Sequence, residues 1–106
     1  MATKKIRVKP RGDGFVILPP VQNFKSGNAT SDVLEFVNKS GEPVLLSLPP
    51  ASLDNAGDAN KIVQVGGTVN INLSKTADDA FEYQVYMIKS RKAAVGNSDP
   101  VLIIDN

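Results

Sequence analysis

Residues 34–48 read Leu34-Glu35-Phe36-Val37-Asn38-Lys39-Ser40-Gly41-Glu42-Pro43-Val44-Leu45-Leu46-Ser47-Leu48. Leu34 and Phe36 fall on one side of an extended chain; Val44, Leu46 and Leu48 do the same after the cluster Asn38 to Gly41. Apolar residues two apart mark a strand with one face in a core, and an Asn/Ser/Gly cluster supplies the reversal between two such strands. Pro49-Pro50 stops the second strand, because proline cannot donate to a ladder. The same period continues outward from this stretch. Val69, Ile71 and Leu73 alternate with Thr68, Asn70 and Asn72 behind Gly66-Gly67, and Tyr83, Val85 and Met87 alternate with Glu82, Gln84 and Tyr86. Ile6 and Val8 alternate with Lys5, Arg7 and Lys9, and Phe15 to Leu18 precede Pro19-Pro20. Ile62 to Val65 makes a short strand, and Val101 to Ile104 a closing one entered through Asp99-Pro100. No segment carries a sustained i, i+3, i+4 stripe. At most one helical turn fits within Ala51 to Asn60 or around Ala93, and Pro49 to Lys61 is expected as a surface loop. About seven or eight short strands separated by turn signals predict an all-β, Greek-key β-sandwich. In it Leu34, Phe36, Leu46, Leu48, Val69, Ile71, Leu73, Tyr83 and Val85 should face inward.

The 106 residues make a single domain, with 42% apolar and 22% charged residues in the globular range. Such a chain buries roughly 65% of its unfolded surface, enough for a core without staples. The chain has no Cys, no His and no Trp. A thiolate metal site, a thiol nucleophile and a disulfide are thereby excluded. The side chain best suited to acid–base work near neutral pH is missing too, and no Ser or Thr stands in a nucleophile-like motif, so no enzymatic activity is expected. No apolar run is long enough to span a bilayer, and no apolar stretch follows the basic N-terminus to make a signal peptide. A soluble protein is expected, cytoplasmic unless a leader has been removed.

From residue 33 onward, order and spacing resemble the cupredoxins, the plastocyanin-type blue-copper fold. Leu34 to Val44 resembles the family's strand–turn–strand ending in Pro-His, and Gly67 to Leu73 followed by Phe81-Glu82-Tyr83-Gln84-Val85-Tyr86-Met87 resembles the strand pair that ends at the copper-binding Cys. Val95-Gly96 and the closing strand follow at the family's distance. The resemblance implies a cupredoxin-like sandwich but does not carry the copper over. The positions of the family's first His, Cys, second His and Met hold Val44, Met87, Ser90 and Val95. A blue-copper site needs two imidazoles and a thiolate, so no metal and no cofactor are expected.

Other motifs have plain readings. Asp54 to Asn60 is rich in oxygen donors, but the EF-hand positions for Gly and the closing acid fall on Ala59 and Val65. Asn28-Ala29-Thr30, Asn38-Lys39-Ser40 and Asn72-Leu73-Ser74 match the glycosylation sequon by chance. Arg11-Gly12-Asp13 reads as a tight turn, and Gly66-Gly67, followed by a strand, as a hairpin-type turn and no phosphate loop. Two basic features remain. Lys5, Arg7 and Lys9 lie on the first strand, where Lys would protect a sheet edge; Lys89, Arg91 and Lys92 lie on the loop at the copper pole. The formal net charge of +1 argues against nucleic acid as the main partner. The expected function is a metal-free interaction or structural module, partnered by a protein or by a second copy. The alternative is binding of an anionic ligand or nucleic acid through the two basic features, and an electron-transfer relative that takes copper elsewhere is a third. Val33, Val37 and Leu45, with Tyr86 and Ile88, would leave an apolar outer surface. The segment Phe15 to Phe24 is expected to cover that surface within the chain, with a two-fold copy as the other possibility.

Overall fold

In the computed structural model residues 2–27, 32–94 and 100–105 are described, and they hold eleven strands and no α-helix. In order these are β1 (Thr3–Arg11), β2 (Gly14–Leu18), β3 (Val21–Lys25), β4 (Val33–Asn38), β5 (Val44–Ser47), β6 (Asn60–Val63), β7 (Thr68–Asn72), β8 (Asp79–Glu82), β9 (Gln84–Met87), β10 (Lys92–Ala93) and β11 (Val101–Asp105). They form three sheets, ordered β2-β1-β4-β7, β10-β9-β5-β6 and β3-β11-β8. β8 passes directly into β9 through Tyr83, whose N–H donates to the Pro100 carbonyl at 3.1 Å. The run 79–87 therefore joins the second and third sheets.

One apolar cluster takes side chains from all three sheets: Ile6 and Phe36 from the first, Val44 and Val85 from the second, Leu102 and Ile104 from the third. This is the sandwich that period two predicts. Every residue expected to face inward is buried except Val69, which is half-buried on the edge strand β7, while Thr68, Asn70 and Asn72 are exposed. The eleven strands exceed the seven or eight read from the sequence because hydrogen-bonding divides one run that periodicity leaves whole, and because β3 and β10 were not read as strands. Residues 79–87 are one alternating run but pair in two sheets, and β10 is only two residues long. The strand expected at Ile62 to Val65 ends at Val63, since Gly67 N–H turns back to Gln64 O at 2.8 Å and Gly66 has φ 72. The loop after Pro49 holds two single 3-10 turns, Pro50–Ser52 and Ala56–Asp58, in place of one helical turn, and Ala93 lies in β10.

Two expectations are corrected. β1 is not an edge: it pairs in parallel with β4 over Thr3–Val8 and antiparallel with β2 over Arg7–Arg11. Arg7 has a ladder partner on each side, whereas Lys5 is paired only to Glu35 and Lys9 only to Val16, so the row does not line one free edge. The segment Phe15 to Phe24 does not lie across a sheet face either. It supplies β2 and β3, turning Ile17 and Phe24 into the core while its backbone groups are satisfied in ladders.

At one end of the molecule a single carboxylate gathers three strands. Asp32, 5% exposed, accepts the N–H of Ala2 at 2.9 Å and of Lys25 at 2.9 Å. Next to it Val33 N–H donates to Ala2 O at 2.8 Å, and Ser26 N–H to Asp105 O at 2.7 Å. Burial opposes ionisation of Asp32, but the two amides and the charge of Lys4 outweigh it and hold the carboxyl below its ordinary range.

Candidate functional site

The other end of the sandwich holds positions that the sequence aligns with the copper ligands of the cupredoxins. Val44 and Met87 stand directly opposite each other in the β5–β9 ladder, and both are 0% exposed. Antiparallel partners project to the same side of a sheet, so the pair fills the core at this end. Ser90 lies in the hairpin between β9 and β10, where its N–H and hydroxyl donate to the two carboxylate oxygens of Glu42 at 2.8 and 2.6 Å. Val95 lies outside the described residues. An apolar side chain, a buried thioether and a hydroxyl already bound to a carboxylate do not fit copper. Among the described residues no group of three or more Asp, Glu, His or Cys is placed to hold a metal ion.

A buried polar network stands behind Ser90. Asn38, 0% exposed, donates through its amide to the carbonyls of Glu42 (2.7 Å), Val63 (3.0 Å) and Gln64 (3.2 Å). Its oxygen accepts the N–H of Ser40 at 3.0 Å and the Ser40 hydroxyl at 2.6 Å. The Ser90 hydroxyl, acting against partial burial and helped by the amides of Ser90 and Lys89 and by the Lys89 charge, keeps the Glu42 carboxyl below its ordinary range. Asn38 and Ser40 were legible as turn formers. Glu42 was not, since its partner lies 48 positions away. The buried amide also removes Asn38 as a glycosylation acceptor.

The residues expected to form one partner surface fall on two sheets. Val37 is half-buried on β4, opposite Arg7 of β1 in the first sheet. Leu45 and Tyr86 are ladder partners in the second sheet, and Ile88 follows β9; Tyr86 is 41% and Ile88 37% exposed. Leu45 also pairs with Ile62, and Tyr86 with Ala93. Periodicity identifies the outward side of each strand but not the sheet that owns it, and it gave no sign of Ile62 or Ala93.

Lys5, Arg7 and Lys9 are exposed on alternate positions of β1, and Lys5 meets Glu35 at 3.6 Å. Lys89 and Arg91 are exposed in the β9–β10 hairpin, where Arg91 takes φ 57 and its N–H donates to Met87 O at 2.7 Å. Lys92 reaches the β1–β2 turn, donating to Asp13 O at 2.8 Å with its ammonium 5.8 Å from the Phe15 ring centroid. Arg11-Gly12-Asp13 forms that turn, with Gly12 at φ 59. In the oxygen-rich loop Asn55 caps the 3-10 turn by accepting from Gly57 N–H at 2.9 Å, and Asp58 pairs with Lys61 at 3.0 Å. A shallow cleft of about 350 Å³ lies between residues 47–50 and 82–84. Of the groups lining it, the Tyr83 hydroxyl is buried without a hydrogen-bond partner among the described residues, and burial pushes its pKa up.

No protein-family model and no curated protein matches the sequence. Solved structures do match. A purple cupredoxin from Nitrosopumilus maritimus superposes with a TM-score of 0.59 at 7% identity, over 95% of this chain and 98% of that one. A mutant of amicyanin with Cu(I) gives 0.54 at 10% identity, over 95% and 82%. A copper-containing nitrite reductase from Thermus scotoductus gives 0.61 at 11% identity; all but 2% of this chain is covered (98%), but only 27% of that enzyme. The fold is cupredoxin-like, and at these identities the likeness concerns the fold alone.

Proposed function

We propose that this chain is a copper-free, non-enzymatic module that works by contacting another macromolecule through its surface. The observation that carries the reading is the Val44–Met87 pair, fully buried where the related fold holds its metal. A core packed through that end leaves the exposed faces and loops as the parts available for recognition. Titration with Cu(II) should give no intense blue band, and the melting temperature should be the same with and without chelator, since a ligand bound only to the folded state would raise it. One tightly bound copper per chain overturns the reading.

A second reading is favoured by the row on β1. Lys5, Arg7 and Lys9 are exposed at alternate positions, about 6.6–6.8 Å apart along the strand, with Glu35 the acid paired to the row. That spacing suits a linear anion such as single-stranded nucleic acid, aided by Lys89, Arg91 and Lys92. Binding to single-stranded DNA should then weaken steeply with salt, and each cation removed should lessen the log–log slope by about 0.7. Salt-independent binding, or none at low salt, removes this reading.

A further inference from the structure

We infer that the outer face of β5, β6, β9 and β10 docks an extended segment of a partner protein whose apolar side chains are followed by carboxylates; this rests on reading the chain as a copper-free interaction module. The ladder registers place Ile62, Leu45, Tyr86 and Ala93 side by side, one from each of the four strands. Ile62 is 61% and Tyr86 41% exposed, so this is an apolar row that crosses the whole sheet open to solvent. The neighbouring row, Asn60, Ser47 and Gln84, is polar and uncharged. A cross-strand apolar row beside uncharged residues has the composition of an interface centre, where charged groups are depleted.

Charge identifies the occupant. The four strands contain no Asp and no Glu. At the β9–β10 end of the row Lys89 and Arg91 are exposed, and neither takes part in the ion pairs found among the described residues. Glu42, the carboxylate nearest that hairpin in hydrogen bonding, is held by Ser90. Lys89 already faces Glu42, so Arg91 is the cation for which a second copy, bringing four strands that hold no carboxylate, would supply no partner. An apolar segment with acidic residues at one end satisfies both parts of the surface, the carboxylates fixing its direction along the row.

The test uses isotope-labelled protein titrated, by NMR, with a synthetic peptide of alternating Leu and Ser ending in a run of glutamates, and with the same peptide ending in lysines. Shifts should centre on the amides of Leu45, Ile62, Tyr86 and Ala93 with the acidic peptide. Tyr86→Ser, and separately the double change Lys89→Glu with Arg91→Glu, should each weaken binding about tenfold or more, as truncating an interface anchor does; these positions are exposed, so unchanged circular dichroism checks the fold. The lysine-ended peptide should bind at least as much more weakly. Equal binding of both peptides, no shifts at about millimolar peptide, or shifts confined to β1 overturn the inference. So does a dimer in sedimentation of the free protein that Tyr86→Glu dissolves, because a second copy then owns the face. Copper uptake by a chain that still binds the peptide would defeat only the function proposed above; absence of both copper and peptide binding defeats only this inference.

Discussion

Asn38 engages both ends of its amide inside the fold, donating to three carbonyls and accepting twice from Ser40. Each such bond contributes roughly 0.5–1.5 kcal/mol net, and an orphaned buried partner costs more than the bond was worth. Asn38→Ala should therefore lower unfolding stability by about 2–4 kcal/mol in urea titration. Phe36→Ala, which empties a site of 0% exposure, should cost roughly 3–5 kcal/mol. Asp32 and Glu42 set the acid limit. Both carboxyls are held below their ordinary range, so the unfolded chain takes up protons first as pH falls. The stability they contribute is complete above about pH 4–5, where unfolded carboxyls are ionised, and is lost as pH drops through the folded values. Melting curves from pH 7 down to about 3 should show that loss, and Asp32→Asn and Glu42→Gln should each flatten it. Neither role was legible in the sequence. The turn at Asn38 follows from local chemistry, whereas Glu42 depends on a partner in a distant hairpin and Asp32 on the meeting of three strands.

At the scale of elements, alternation in the sequence found most of the strands and the buried side of those it found, but it missed β3 and β10. It was silent on adjacency, because the same period serves an edge and a centre. β1 reads like an exposed basic strand yet lies between β2 and β4, while Val37 and Leu45 read alike but belong to different sheets. Adjacency should be visible in amide exchange. β4, β5 and β11, each paired on both sides along almost their whole length, should be slowest, and β10, two residues against β9, should exchange fastest; equal protection of β4 and β10 would contradict the topology. The turn that ends β6 gives a second check. A Cβ on Gly66 would meet nothing within 4 Å, but the residue has φ +72. Gly66→Ala should thus cost about 1–2 kcal/mol from backbone conformation alone.

For the molecule as a whole, the resemblance carried by residues 33 onward named the fold correctly. What it could not show is how Ala2 and Asp105 are arranged. Asp32 bonds Ala2 on one side and Lys25 on the other, and Ser26 bonds Asp105. The first and last described strands thus leave the sandwich at the same pole. The β9–β10 hairpin, tied by Lys92 to the turn at the far end of β1, lies at the other. Ala2 and Asp105 lie at one pole, so a circular permutant of residues 2–105, joined from Asp105 to Ala2 by a few glycines and reopened between the exposed residues Asp54 and Asn55, should still unfold cooperatively. A cargo or host protein fused at either end would be held at the Asp32 pole, presenting the hairpin and its cations outward like the tip of a stalk.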